Sequence, residues 1–320
     1  MSRRVRFVYL ASMPYSGSTL FSFLANSHPQ IATVGEMTGP KWSVNPETYL
    51  CSCGQRIKHC AFWQEVAKGM ASRGFDFDPG HFDTRIHVGD FRHLRRALTG
   101  SLGSSGLEDI RDRLLWLWPS QSERLRELLA RNKALASVIL AVTGKSIFFD
   151  ASKDHMTIRR LSRDGEVDLR VVHLVRDVRG AGLSGKKNAR VSWPRTVASW
   201  VRTNRNIERQ LRRVPADRWI RIRYEDLCRD PQETLNRFFE FCGAGHHTLT
   251  SLFRSPEHHI VGNSMRLGYA GKIKLDESWR DVLTRDELEC AERLAGSVHC
   301  RYGYAPMRAA DLNSGALYKR

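Results

Sequence analysis

Residues 5–21 read VRFVYLASMPYSGSTLF. Val5 to Ser12 is an apolar, β-rich run that stops at a loop of Pro, Gly and Ser, as a strand buried on both faces does. From Ser18 the spacing of Leu20, Phe21 and Leu24 predicts a helix ending at Asn26, before His28-Pro29. A strand, a tight loop and a helix N-terminus make an anion site, because backbone N–H groups converge there and the helix dipole adds positive charge. Gly17 lets the backbone approach a ligand closely, and Ser16, Ser18 and Thr19 add hydroxyl donors. A nucleoside triphosphate loop needs G-x-x-x-x-G-K-[ST]. Here Ser12 replaces the first Gly and Ser18 stands where the Lys would be, which disfavours a Mg²⁺-triphosphate. On this stretch alone, an ordinary turn rich in small residues stays open.

The pattern repeats along the chain. A short strand, IATV, delivers Gly35-Glu36. Further strands are predicted at SIFFD (146–150), LRVVHLV (169–175) and RWIRIRY (218–224), each followed by a polar turn and a helical pattern. Such alternation argues for an α/β protein with a central, mainly parallel sheet and helices on both faces. Residues 37–145 break it. They read as helical pieces and loops, with a flexible GSLGSSG at 100–106, and we take them as a mostly helical insertion in a single domain spanning 1–320. Residues 193–213 read as a long basic helix. DPQETLNRFFEFCG reads as a helix with Pro231 in its first turn and Gly243 past its end.

A second phosphate site is legible in VVHLVRDVRGAGLSG. Arg176 follows a strong strand, where α/β sheets bind ligands, and Ser184 comes eight residues later. A guanidinium and a hydroxyl near a helix start can grip one isolated phosphate. Asp177 and Arg179 read equally well as a local ion pair. With the first loop on the same sheet edge, a ligand with phosphates at two separated positions is implied.

These two stretches together resemble the sulfotransferase family, which uses 3′-phosphoadenosine-5′-phosphosulfate (PAPS). PYSGSTL is similar to its 5′-phosphosulfate loop, and HLVRDVRGAGLS to its 3′-phosphate motif. YLCSCGQRIKHCAFW, FFDASKDHMTIRRL, IRYEDLCRDPQETLNRFFEFCG and HHIVGNSMRLGYAGKIKLDESW are similar to later or accessory segments, leaving roughly 65–140 uncovered. The carbohydrate-type branch is the better match. The resemblance implies a P-loop-like, three-layer fold in which Tyr15, Ser16, Gly17, Ser18 and Thr19 line the phosphosulfate. It implies that Arg176 and Ser184 hold the 3′-phosphate, with Arg266 reaching it from a Gly-rich loop. It implies a carboxylate base, for which Glu36 is the candidate, with His155 and His259 behind it. The sequence departs from the family at Tyr15, where Lys or Arg is usual. Lys153, which also leaves a strand's C-terminal end, is the candidate substitute cation.

Other features are weighed against blander readings. His173, inside a strand, is expected to be a core histidine. Cys51, Cys53, His59 and Cys60 are of zinc-ligand type at a spacing that matches no standard finger, so zinc, a disulfide and free buried thiols all stay open, and no metal is assigned. Trp42, Trp63, Trp116 and Trp118 could stack on an acceptor, though most are expected in the core.

The formal charge of +17 on 320 residues, 41% of them hydrophobic, fits a folded protein with an anionic ligand. A helix lying over a polyanionic donor would account for the basic 193–213 segment, and no nucleic-acid module is recognised there. No apolar run approaches the ~20 residues that span a bilayer. The basic N-terminus passes for an export signal only until Pro14, and cleavage near Ala25 would remove the first loop, so a cytoplasmic chain is expected. The expected function is metal-independent transfer of a sulfuryl group from PAPS to a hydroxyl of a carbohydrate or small molecule, leaving PAP. A non-catalytic binder of PAP or polyanions and a P-loop-like kinase are the rivals.

Overall fold

In a computed structural model of the chain, the described residues are 4–40, 44–189, 191–249, 258–261, 264–267 and 273–307. Among the described residues five strands form one sheet: β1 (Val5–Ser12), β2 (Ile31–Ala32), β3 (Ile147–Asp150), β4 (Val167–Val175) and β5 (Trp219–Arg223). Their order is β2-β3-β1-β4-β5 and every pairing is parallel, with Tyr9 opposite Asp150, Ser12 opposite Leu174 and Val175 opposite Arg223. The expected parallel α/β sheet is therefore present, with β1 at its centre.

The side-chain alternation of the strands sorts two cores. On one face Phe7, Tyr9, Ala11, Phe148 and Val171 pack with Trp63, Leu135 and Ile207. On the other, Val8, Leu10, Phe149, Val172 and Leu174 pack with Phe21, Leu24, Phe238 and Phe239. Burial on both faces explains why β1 and β4 read as near-continuous apolar runs.

The helices follow their caps. α1 (Ser18–Asn26) leaves the first loop. Between β2 and β3 come α2 (Ala61–Ala71), α3 (Arg92–Thr99), α4 (Ser105–Trp116) and α5 (Pro119–Thr143). α5 opens on Pro119 and closes on Gly144, whose φ of 66° is the left-handed cap that glycine adopts freely. Residues 100–106 are not a flexible linker. Ser105 and Gly106 are already in α4, while the Ser101 hydroxyl and the Leu102 amide donate to buried Glu108 at 3.2 and 3.1 Å.

After β3, α6 (His155–Leu161) is capped by Asp154, whose carboxylate accepts from the Met156 amide at 3.1 Å. β4 leads into α7 (Val178–Ala189) and the basic α8 (Trp193–Leu211). β5 leads into α9 (Tyr224–Arg229) and α10 (Pro231–Cys242), with Pro231 at the start and Gly243 past the end as read from the sequence. α11 (Trp279–Val282) precedes α12 (Arg285–Arg301), which starts with a Thr284/Glu287 capping box. α7, α8 and α12 share a third core of Val178, Trp193, Trp200, Ala291 and Val298.

Part of the basic charge is taken up inside the protein rather than held over a ligand. Arg209 on α8 pairs with Glu108 at 3.1 Å, and Arg213 pairs with Asp109. Arg159, almost wholly buried, reaches Asp109 at 2.6 Å and Asp112 at 2.7 Å. No helix among the described residues is long and apolar enough to cross a membrane.

Candidate functional site

Because every strand is parallel, the loops after β1, β2, β3, β4 and β5 all emerge on one edge of the sheet. That edge is where open α/β sheets bind ligands. It gathers Ser12–Gly17, Thr33–Thr38, Ala151–Asp154, Arg176–Asp177 and Tyr224.

The first loop has the form of an anion cradle. Gly17, with φ 88° and ψ 14°, is the N-cap of α1, which has no side-chain cap and no acidic residue in its first turn. Its first N–H groups are thus left for a ligand. A Cβ on Gly17 would fall 2.4 Å from Tyr224 Cδ2, so only glycine fits between the loop and that ring. Ser16 and Ser18 are buried, and the Ser12 hydroxyl is buried without a hydrogen-bond partner. Buried polar atoms are almost always paired, so this one marks a place for an acceptor or donor.

The second loop is tied to the first. Arg176, 6% exposed at the end of β4, donates from Nη1 to the Tyr15 carbonyl at 3.0 Å and reaches Ser184 Oγ at 3.5 Å. Its guanidinium lies 4.4 Å above the Tyr224 ring. Tyr15 itself has φ 70°, is 38% exposed, and turns its ring toward Gly185, where an added Cβ would sit 3.7 Å away. The residue that stands in place of a basic side chain therefore accepts from the second loop at its carbonyl and turns its ring toward α7. Asp276 also holds Arg176, accepting from Nη2 at 2.9 Å. Burial raises the Asp276 pKa, but hydrogen bonds from Ser278 and Arg176 outweigh it and bring the carboxyl below its usual range.

Glu36 and Lys153 meet. The Lys153 ammonium donates to Glu36 Oε1, and both side chains are mostly buried. Lys153 has φ 71°, a left-handed conformation uncommon for a non-glycine residue and frequent at functional sites. Beneath them Asp150 accepts from the amides of Met37 and Ser152, both at 3.0 Å, and so fixes the turns that carry Glu36 and Lys153. Burial pushes the Asp150 carboxyl up to about 6; hydrogen bonds from Ser152 and Met37 pull against it, and the charge of Glu36 adds to the rise. A cavity of about 190 Å³ opens beside Glu36, lined by Thr38, Thr84, Arg85, Asn132, Ser152 and Thr157. Thr84, Arg85 and Asn132 belong to the segment between β2 and β3.

Other sequence candidates stand outside the Arg176–Ser184 and Glu36–Lys153 pairs. Arg266 is buried with its guanidinium 4.5 Å above the Tyr49 ring and donates to the Leu50 carbonyl, and none of these partners belongs to the Arg176–Ser184 pair. His259 is buried against Gly35, where a Cβ would come within 2.4 Å of its ring, and neither ring nitrogen has a hydrogen-bond partner. Burial first, then nearby Arg266 and Lys153, lower its pKa to about 3 and keep it neutral. His155 lies at the start of α6, its pKa lowered by burial. His173 is the core histidine expected, bonded through Nε2 to Asn204 at 2.9 Å. Asp177 and Arg179 form the local ion pair, at 2.6 Å. Trp63 is core, but Trp116 is 63% exposed and Trp118 is exposed as well. Trp42 lies outside the described residues.

The sequence did not single out Tyr224, Asp276 or Asp150. Asp150 and Tyr224 each adjoin the C-terminal end of a strand, and that position is the signal that marks them. Asp276 is a hundred residues from Arg176 and carries no local sign.

Parts of this chain are similar to known sulfotransferases. The sequence profile described as Sulfotransferase family matches residues 168–247, which hold β4, Arg176, Ser184 and β5. The chain is 26% identical over 195 residues to mouse (Mus musculus) carbohydrate sulfotransferase 5, covering 50% of this chain and 49% of that protein. It thus spans about half the length of the curated relative it matches. Among solved structures it is similar to the sulfotransferase domain of the Synechococcus PCC 7002 olefin synthase, with 18% identity, TM-score 0.47, and 92% and 96% of the two chains covered. It is also similar to the sulfotransferase domain of the curacin biosynthetic pathway, with 16% identity, TM-score 0.49, and 95% and 99% covered. The chain is thus similar to sulfotransferases over residues 168–247 and over about half of its length.

Proposed function

We propose that the chain transfers a sulfuryl group from PAPS to a hydroxyl of a polar acceptor, without a metal. The observation that carries the reading is the bond from Arg176 to the Tyr15 carbonyl. It sets a helix N-terminus with a glycine-only approach beside a guanidinium and hydroxyl pair, as a donor with two separated phosphates requires. Ser12, Ser16, Gly17, Ser18 and Thr19 take the phosphosulfate. Arg176 and Ser184 take the 3′-phosphate, with Arg176 leaving Asp276 to do so.

In the transfer, Glu36 accepts the acceptor's proton as that oxygen bonds to sulfur. The bond from sulfur to the phosphate oxygen breaks, and PAP leaves with its new charge facing the α1 amides and Lys153. The Glu36–Lys153 pair supports these roles, because it puts a base and a cation side by side at the sheet edge. The cavity beside Glu36 is walled by hydroxyls, amides and an arginine, which suits a polyhydroxylated acceptor such as a carbohydrate better than a flat apolar one. The helical segment between β2 and β3 supplies much of that wall, so acceptor choice is assigned to it, within one domain.

Transfer of label from ³⁵S-PAPS to a panel of sugars and small hydroxyl compounds tests the proposal. Labelled product that disappears in Glu36→Gln supports it. PAP binding with no transfer to any acceptor would leave a PAP-binding protein in its place, the rival reading that Tyr15 keeps alive.

A further inference from the structure

The Cys-rich loop gathers four soft donor atoms that the site above does not use. One atom each from Cys51, Cys53, Cys60 and His258 lies within 4.8 Å of all the others. Cys60 Sγ is 3.6 Å from Cys53 Sγ and 3.4 Å from His258 Nδ1, and Cys51 Sγ is 3.8 Å from the same nitrogen. A tetrahedral zinc ion with bonds of about 2.3 Å to sulfur and about 2.0 Å to nitrogen holds its ligand atoms about 3.5–3.8 Å apart. Three of the six separations between these donors, 3.4 to 3.8 Å, are close to those of a tetrahedron's edges, and the other three lie within 4.8 Å. The sequence suggests His59 as the nitrogen ligand; the fold leaves His59 exposed and brings in His258 from 198 residues beyond Cys60.

The loop itself converges on this point. The turn at Cys51–Gln55 closes through Gly54 N–H to Cys51 O at 3.0 Å and Cys51 N–H to Gln55 O at 2.9 Å, so Cys51 and Cys53 wrap one point. The His258 ring lies flat on Phe62, with centroids 4.3 Å apart at 7°, which fixes the direction of Nδ1.

We propose that Cys51, Cys53, Cys60 and His258 bind one zinc ion. The protein supplies all four ligands, so no position is open to water and the site is structural, not catalytic. On binding, the three thiols give their protons to solvent, and the centre carries one net negative charge.

The site has a position to brace. The segment next to His258 is sewn to the loop after β2: Ile260 N–H donates to Val34 O at 2.9 Å and His259 N–H to Ser52 Oγ at 2.8 Å. Tyr49 donates to Ile260 O at 2.7 Å, and the His259 ring covers Gly35. Zinc would clamp residues 258–261 and the Cys-rich loop around the turn that presents Glu36. That consequence for Glu36 rests on the proposed function; the zinc site does not.

The test is metal content by mass spectrometry of full-length protein made without a histidine tag, after incubation with zinc and gel filtration. One zinc per chain is expected. Cys53→Ser and His258→Ala should each lose most of it, while Cys300→Ser, an exposed cysteine on α12, should keep it. Cobalt in place of zinc should give the intense visible bands of a tetrahedral thiolate site. Fewer amides in Val34–Glu36 should resist hydrogen exchange after chelation. Chains free of zinc after incubation would overturn the proposal. So would five rather than seven thiols titrating in denaturant, if peptide mapping puts the lost pair among Cys51, Cys53 and Cys60. Both readouts are independent of transfer activity, so failure of the sulfotransferase reading would leave them intact.

Discussion

Arg176 donates to the carbonyl of Tyr15 at 3.0 Å, and this bond joins the loop after β4 to the loop after β1. The same guanidinium is held on its other side by Asp276 at 2.9 Å. The two neighbours have opposite consequences for an anionic ligand. Arg176→Ala should weaken PAP binding about 10–100-fold, the loss of a charge-assisted contact of about 1.5–3 kcal/mol. Asp276→Asn should strengthen it a few-fold, since a phosphate would no longer compete with a carboxylate for Arg176. Titration calorimetry with PAP reads both. Weaker binding in Asp276→Asn would show that Asp276 positions Arg176 instead of competing for it.

Gly17 faces the Tyr224 ring, on which Arg176 also rests. Gly17→Ala combines a left-handed backbone with a clash at 2.4 Å. Denaturant unfolding should show a loss of about 1–3 kcal/mol, and PAP affinity should fall as the displaced ring moves Arg176. An alanine variant with unchanged stability and affinity would mean that the loop is not held closely against Tyr224.

Glu36 and Lys153 form one ion pair, yet their substitutions should read differently. Glu36→Gln should lower kcat about 10²–10⁴-fold, the usual range for a general base, with PAP affinity nearly unchanged. Lys153→Ala should lower kcat and also weaken PAP binding, because in the proposed transfer the cation faces the leaving phosphate. Equal kcat in Glu36→Gln and the parent removes Glu36 from the role.

Asp150 makes stability depend on pH. Its carboxyl stands near 6 in the folded chain, above the ordinary value, so the folded state holds that proton more tightly than the unfolded one. Its stabilising contribution is whole below about pH 4 and is lost as pH rises through about 6. Asp150→Asn keeps an oxygen for the Met37 and Ser152 amides and carries no charge. At pH 8 it should be more stable than the parent by about 1–3 kcal/mol, and the gap should close toward pH 4. Thermal unfolding at the two pH values measures it, and a gap that persists at pH 4 would contradict the assignment.

What the sequence made legible was local. The β1 run, the first loop and α1 are contiguous, and the spacing of Arg176 and Ser184 spans one strand end and two helical turns, so their pairing follows from secondary structure alone. Glu36 and Lys153 were separately placed at strand ends, and parallel pairing of β2 with β3 then brought them together. Long-range partners left no such trace. Asp276 reaches Arg176, and His258 replaces His59 beside Cys60, only once distant loops are folded over the sheet edge. The exposure of Trp116 and Trp118 was missed for a related reason. Their spacing fits a buried helical face, but the chain turns there between α4 and α5.

The central claim is a pair of phosphate sites joined by Arg176. The most direct measurement compares the calorimetric affinity for PAP with that for adenosine 5′-phosphate, which lacks the 3′-phosphate. Adenosine 5′-phosphate is expected to bind about 10–100-fold more weakly, matching about 1.5–3 kcal/mol of lost contact with Arg176 and Ser184. That difference should shrink in Arg176→Ala. Equal affinities for the two nucleotides, or no binding of PAP, would contradict the account.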